Sequence, residues 1–188
     1  LESLQLITGG QKNYLVPTSA QVSGSSLLLE TFEASFTGHK HQVRFSSKVG
    51  SFGQFDNYLS YKCSKDRLFF SVFGKYRLAN GTYPYSFRNG TTVYAGERLN
   101  NFYQDAMGGA NFGLKSKKGG IYQLAYRKEL VNQELPGAVI LYTQNGFQTL
   151  KTLNDRVQIS YLRHLNRWSV RAFSAYSAMS MVYTDSSY

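Results

Sequence analysis

The segment ANGTYPYSFRNGTTVYAGERLN brings Tyr83, Tyr85, Phe87, Arg88 and Tyr94 close together in sequence. Rings beside a guanidinium do noncovalent chemistry: their π faces stack on flat or apolar ligands, and the cation pairs with anionic groups. The same residues also suit plain loop packing or an aromatic girdle, and that reading stands beside the first. Covalent chemistry finds no candidates. No nucleophile–base pair, paired catalytic carboxylates or phosphate-cradling glycine loop is recognisable, so neither enzyme activity nor a cofactor is expected. Cys63 is the sole cysteine, which leaves no disulfide framework and no cysteine metal site. His39, His41 and His164 have no shared metal-ligand spacing; His39 and His41 can lie on one strand face, where a solvated or interior role is expected. Asn80-Gly81-Thr82 and Asn89-Gly90-Thr91 read as turn chemistry, as does Pro136-Gly137 in QELPGAV.

Seven stretches with period two must position these residues. They are HQVRFSSKV (41–49), FDNYLSYKC (55–63), LFFSVFGKYR (68–77), QDAMGGANFGLK (104–115), IYQLAYRK (121–128), RVQISYLRH (156–164) and WSVRAFSAYS (168–177). Each sets apolar residues on one parity and polar ones on the other, with Phe69 and Phe73 breaking the polar face of the third. No segment carries a sustained helical stripe, LESLQLI being the nearest and short. An all-β fold is predicted, an antiparallel up-and-down meander of about seven strands.

The connections alternate in length. SKDR (64–67), SKKGG (116–120) and HLNR (164–167) are tight polar turns, whereas the connections over 79–100 and 131–154 are long. Short turns at one end and long loops at the other is the asymmetry of outer-membrane barrels, with the loops outside the cell. GSFGQ is short on the loop side and is the exception. Arg44, Lys48, Lys62, Lys75, Arg127 and Arg171 lie mid-strand opposite the apolar parity, as an enclosed interior would tolerate. Tyr58, Tyr76, Tyr122, Tyr126, Tyr161 and Tyr176 suit interfacial girdles. A soluble sandwich would alternate in the same way. The expected fold is a transmembrane β-barrel segment, incomplete because bacterial barrels close with even strand numbers and open edges do not survive in lipid.

The composition agrees with many twisted strands: Tyr 15 and Phe 13 against Pro 3. The net charge of +10 brings nucleic acid to mind, but the basic residues are spread along the chain and form no run. The chain begins at Leu1 with no recognisable signal peptide and no apolar run long enough for a spanning helix, so it reads as a mature chain or a cut piece.

LESLQLITGGQKNYLVPTSAQVSGSSLLLET resembles the closing stretch of the plug of TonB-dependent receptors. Gly9 and Gly10 stand at the turn, Tyr14 at the aromatic position, Ser23 and Gly24 at the small pair, and Leu27 to Leu29 in the last strand. The family's Gly-Gly-Val-Ile-Asn-Ile type ending is altered here to SGSSLLLE. VGSFGQFDNYLSYKCSKDRLFFSVFGKYRLANGTYPY looks like the first three barrel strands of these receptors. ERLNNFYQDAMGGANFGLK with the later QELPGAV is similar to cobalamin-type receptors of the Bacteroidetes style.

The resemblance implies residues 1–36 as the C-terminal end of a plug and 37–188 as the N-terminal part of the barrel. It implies uptake of a scarce ligand, cobalamin or an iron–siderophore chelate, across a bacterial outer membrane, with TonB engaged through a segment not in this sequence. Outer-membrane lipid or lipopolysaccharide is a further expected partner, nucleic acid is not, and Tyr83, Tyr85, Phe87, Arg88 and Tyr94 become the expected extracellular ligand contacts. The calcium-holding aspartate-rich loop of some cobalamin receptors is not carried over, because these loops contain almost no aspartate. The competing readings are a passive porin or adhesin barrel, which needs no plug, and a soluble basic β-protein binding nucleic acid.

Overall fold

A computed structural model describes residues 3–8, 25–30, 36, 40–136 and 147–186. Contacts divide the chain into two compact units, Leu1–Ser35 and Phe36–Tyr188. In the first, β1 (Ser3–Thr8) pairs antiparallel with β2 (Ser25–Glu30). β2 contains Leu27 to Leu29, while Gly9, Gly10, Tyr14, Ser23 and Gly24 lie outside the described residues.

The second unit is all-β, with no helix among the described residues. Its strands are β3 (Lys40–Gly50), β4 (Gln54–Lys65), β5 (Leu68–Ala79), β6 (Tyr83–Asn89), β7 (Thr92–Arg98), β8 (Tyr103–Lys115), β9 (Gly120–Leu135), β10 (Gln148–His164) and β11 (Ser169–Asp185). Seven of them form one antiparallel sheet in the order β11-β10-β9-β8-β5-β4-β3, a meander from which β6 and β7 branch as a separate hairpin. β3 and β11 do not pair, so the sheet is open and is not a closed barrel.

Turn chemistry explains the meander. Between β4 and β5, Lys65 pairs with Leu68 across a two-residue turn in which Asp66 takes φ 48°, a region where Asp is better tolerated than most residues. The β8–β9 turn is closed by Ser116 N–H donating to the Gly120 carbonyl at 2.7 Å, with Gly119 at φ 81°. In the third turn Leu165 and Trp168 exchange backbone bonds of 2.7 and 3.1 Å. All three turns lie at one end of the sheet.

Register keeps one parity together across all seven strands. Val43, Tyr61, Val72, Ala110, Tyr126, Val157 and Tyr176 form one row of paired residues. The next row holds Cys63, Phe70, Phe112, Leu124 and Ile159. This apolar face is exposed: Phe45 68%, Leu59 55%, Ile159 57%. The polar face is the more buried one over β4, β5 and β8, where Ser60, Ser64, Ser71, Asp105 and Asn111 are all buried and Phe69 is the single buried hydrophobic residue among those described. Asn111 donates to Ser71 Oγ at 2.9 Å there. A water-soluble sheet arranges its faces the other way, since burying apolar surface drives folding in water.

Several expectations are corrected. The connection over 79–100 is no irregular loop, because Tyr83 to Arg98 fold into a hairpin of their own. β9 runs on to Leu135, β10 starts at Gln148 and β11 continues to Asp185, which shortens the other long connection. Residues 137–146 of it, and with them Gly137, lie outside the described residues, as does His39. Tyr58 has the parity of Ser60 and belongs to the polar face, where it stacks on Phe73 at 6.4 Å. His41 shares the parity of Val43, so it belongs to the apolar face, with Nδ1 2.8 Å from the Tyr61 hydroxyl.

Candidate functional site

The hairpin gathers most of the aromatic cluster. A two-residue loop, Gly90-Thr91, joins β6 and β7, and Gly90 takes the positive φ (61°) that suits glycine at the first position of such a turn. Directly paired residues share a face, so Phe87 lies beside Tyr94, Tyr85 beside Gly96 and Tyr83 beside Arg98. The rings of Phe87 and Tyr94 are 5.2 Å apart and inclined by 14°, and Tyr85 and Phe87 are 6.4 Å apart and inclined by 11°. Glycine at 96 leaves room for this: a Cβ there would meet the Tyr85 hydroxyl at 3.2 Å. The result is a nearly parallel set of three rings, with Tyr94 exposed and Tyr85 and Phe87 half-buried.

Tyr83 does not join the stack. It packs edge-on against Phe52 of the β3–β4 turn, at 5.7 Å and 63°. Arg88 pairs with Val93 on the opposite face of the hairpin, so the structure separates the guanidinium from the rings it was expected to assist.

The sequence reading missed the residues that hold the hairpin to the sheet. Arg98 is buried and donates to the Pro136 carbonyl. Asn100, at φ 57°, donates to the carbonyls of Leu135 and Gln148 at 2.9 and 3.3 Å. Phe102 N–H donates to Glu134 Oε2 at 3.0 Å, and the Phe102 carbonyl accepts from Glu134 N–H at 2.8 Å. Asn101 donates to the Gly81 carbonyl at 3.1 Å. The one available signal was an Asn following a charged strand end, because Asn is among the few residues that visit the left-handed region readily.

A second cluster lies on the polar face. Arg77 donates through Nε and Nη2 to Asp105 Oδ2, the former at 2.8 Å, and reaches the Tyr103 hydroxyl at 3.1 Å. Lys75 pairs with Asp56 at 3.7 Å. Gly109 opens a gap in β8 across which Arg127 lies over the Phe73 ring at 5.9 Å. Among the described residues no group of three or more His, Cys, Asp or Glu side chains is gathered to hold a metal, and His164 lies 2.8 Å from Ser169 Oγ instead. The arrangement offers stacking surface at the hairpin and, on the sheet, an ionic network in which both Arg77 bonds fall on Asp105 Oδ2 and the buried Oδ1 has no hydrogen-bond partner.

The fold and site therefore define an open seven-stranded antiparallel sheet with a ring-bearing hairpin at its loop end. No protein-family model, curated protein or solved structure matches the chain.

Proposed function

We propose that the chain is part of a TonB-dependent outer-membrane receptor, whose barrel wall is the seven-stranded sheet and whose plug ends within residues 1–36. The protein imports a scarce ligand, cobalamin or an iron–siderophore chelate, into the periplasm, and is not an enzyme. One observation carries the membrane part: the apolar parity is exposed on the registered strands, and over β4, β5, β8 and β9 the polar parity is the more buried one, while β3 and β11 expose both. An apolar surface that spans a whole sheet exceeds what monomeric proteins leave in water and suits contact with lipid. Parallel rings on a hairpin at the loop end support ligand capture. The receptor assignment rests on the resemblance of the opening segment and of the strand order. No helix of the described residues is long and apolar enough to cross a membrane, which says nothing of strands.

Cys63 supplies the experiment, since it is the only cysteine and lies on the apolar face. A solvent-sensitive dye on Cys63 is expected to shift strongly to the blue when the chain is folded into phosphatidylcholine vesicles. The same dye on Lys62→Cys in a Cys63→Ser background, one residue away on the polar face, is expected to stay near its aqueous emission. A chain that stays soluble without lipid or detergent, with Cys63 reporting water, would refute the membrane reading. If insertion is seen, binding of cobalamin or a ferric chelate that Phe87→Ala and Tyr94→Ala weaken favours the receptor over a passive pore.

A further inference from the structure

We infer that the tight-turn end of the sheet is an anionic-phospholipid docking rim, with Trp168 embedded among the headgroups. This deepens the membrane reading above and rests on it.

The basic residues are spread along the sequence, but the fold collects many of them at one end. The first turn brings Lys65 and Arg67, the second Lys115, Lys117 and Lys118, and the third Arg163 and Arg167. Asp66 is the sole acidic residue in the turn-side half of this sheet among the described residues. Asp56, Asp105, Glu129, Glu134, Asp155 and Asp185 all belong to the loop-side half, where Lys75, Arg77 and Lys128 pair with carboxylates. Charge is thus neutralised internally at one end and left in excess at the other.

The first two turns are held together, because Lys115 N–H donates to the Arg67 carbonyl at 2.8 Å. Between them lies an open cavity of about 380 Å³, lined by Asp66, Arg67, Lys115, Ser116, Lys117 and Gly119. Two cationic walls around a space of this size suit a phosphodiester headgroup.

The neighbouring rows place that rim at an interface. The last apolar row before the turns holds Leu68, Leu114, Tyr122 and Tyr161. Tyr122 and Tyr161 are 4.7 Å apart, and Gly120 makes room for the pair, since a Cβ there would meet the Tyr161 ring at 2.9 Å. Beyond them Trp168, the only tryptophan, is 75% exposed in the third turn. Apolar rows, then phenols, then an exposed indole among Lys and Arg is the order in which a bilayer presents hydrocarbon, interface and headgroup.

Trp168 makes the test direct. The full chain is folded into phosphatidylcholine vesicles carrying a minority of phosphatidylglycerol, with bromine placed on one lipid or the other at equal content. One cation near an anionic surface enriches the anionic lipid about fivefold. Brominated phosphatidylglycerol is therefore expected to quench Trp168 at least about twofold more than brominated phosphatidylcholine, with the excess lost in 1 M salt, where the screening length is about 3 Å. The Arg67→Gln/Lys115→Gln/Lys117→Gln/Lys118→Gln variant is expected to bring the ratio to one. Arg163→Gln/Arg167→Gln gives a second route should the first variant fold poorly. Equal quenching by both lipids in the parent chain, or a preference unchanged in both variants, overturns the rim and leaves the lipid-facing wall standing. Quenching by neither lipid overturns the wall and the rim together.

Discussion

Replacing Ile159 by Arg separates the two environments the apolar face could have. Ile159 is exposed on β10, paired with Leu124 and Ser174, and six residues from Leu165 in the third turn. At a rise of about 3.4 Å per residue and a tilt of about 40°, it stands about 16 Å from that turn, near the middle of an apolar band about 25 Å tall. In water, an exposed Ile→Arg change stays within about 0.5 kcal/mol. In lipid at mid-depth it costs about 2–4 kcal/mol, a drop of about 30- to 1,000-fold in the folding equilibrium. Val170 has the same parity but lies next to the turn, so Val170→Arg is expected to cost no more than about 1 kcal/mol. Urea titration in vesicles, followed by Trp168 emission, measures both. Equal small losses at the two positions would refute the depth-dependent apolar environment on which the membrane reading depends.

Gly109→Ala would press a Cβ to 2.7 Å from both the Phe73 ring and the Tyr126 carbonyl. The backbone atom cannot swing away, so a loss of about 1–3 kcal/mol is expected in the same titration. Asp105→Ala leaves Arg77 without its carboxylate. The expected loss is about 2–3 kcal/mol, at the low end for a buried pair because the Arg77 side chain is 35% exposed, and Arg77→Met in the same chain should recover most of it. Phe87→Ala and Tyr94→Ala are each expected to weaken ligand binding by about 2- to 13-fold, the worth of one aromatic contact, in an equilibrium titration. Arg88→Ala, on the other hairpin face, should leave it unchanged.

The seven strands were legible because alternation and turn residues are local properties. Val43, Leu59 and Val72 announce a face whatever lies against it. The parity even placed Arg44, Lys62 and Arg127 opposite that face, as the register has them. Strand ends were less legible. Thr149 to Asn154 lack clean alternation, yet they extend β10 because β9 and β11 offer continuous partners on both sides. The hairpin was missed for a different reason. Asn89-Gly90 is a turn signal, but the apolar spacing on either side of it was read as loop composition. The separation of Arg88 from Phe87 then follows from strand geometry, in which neighbours in sequence point apart. Arg98 and Asn100 gave almost no local sign, since their partners, Pro136, Leu135 and Gln148, are supplied by distant strands.

The two outer strands of the sheet differ in a way that bears on assembly. β3 offers its free backbone behind Lys40, Arg44 and Lys48, charges that discourage another strand from adding there. β11 offers seventeen residues without a proline, with Phe173, Met179 and Met181 exposed on one side and Tyr176 and Val182 on the other. Its only charged side chains are Arg171 near the start and Asp185 at the end. Further strands are therefore expected to add along β11 first, and closure of a barrel would bring the last of them against β3.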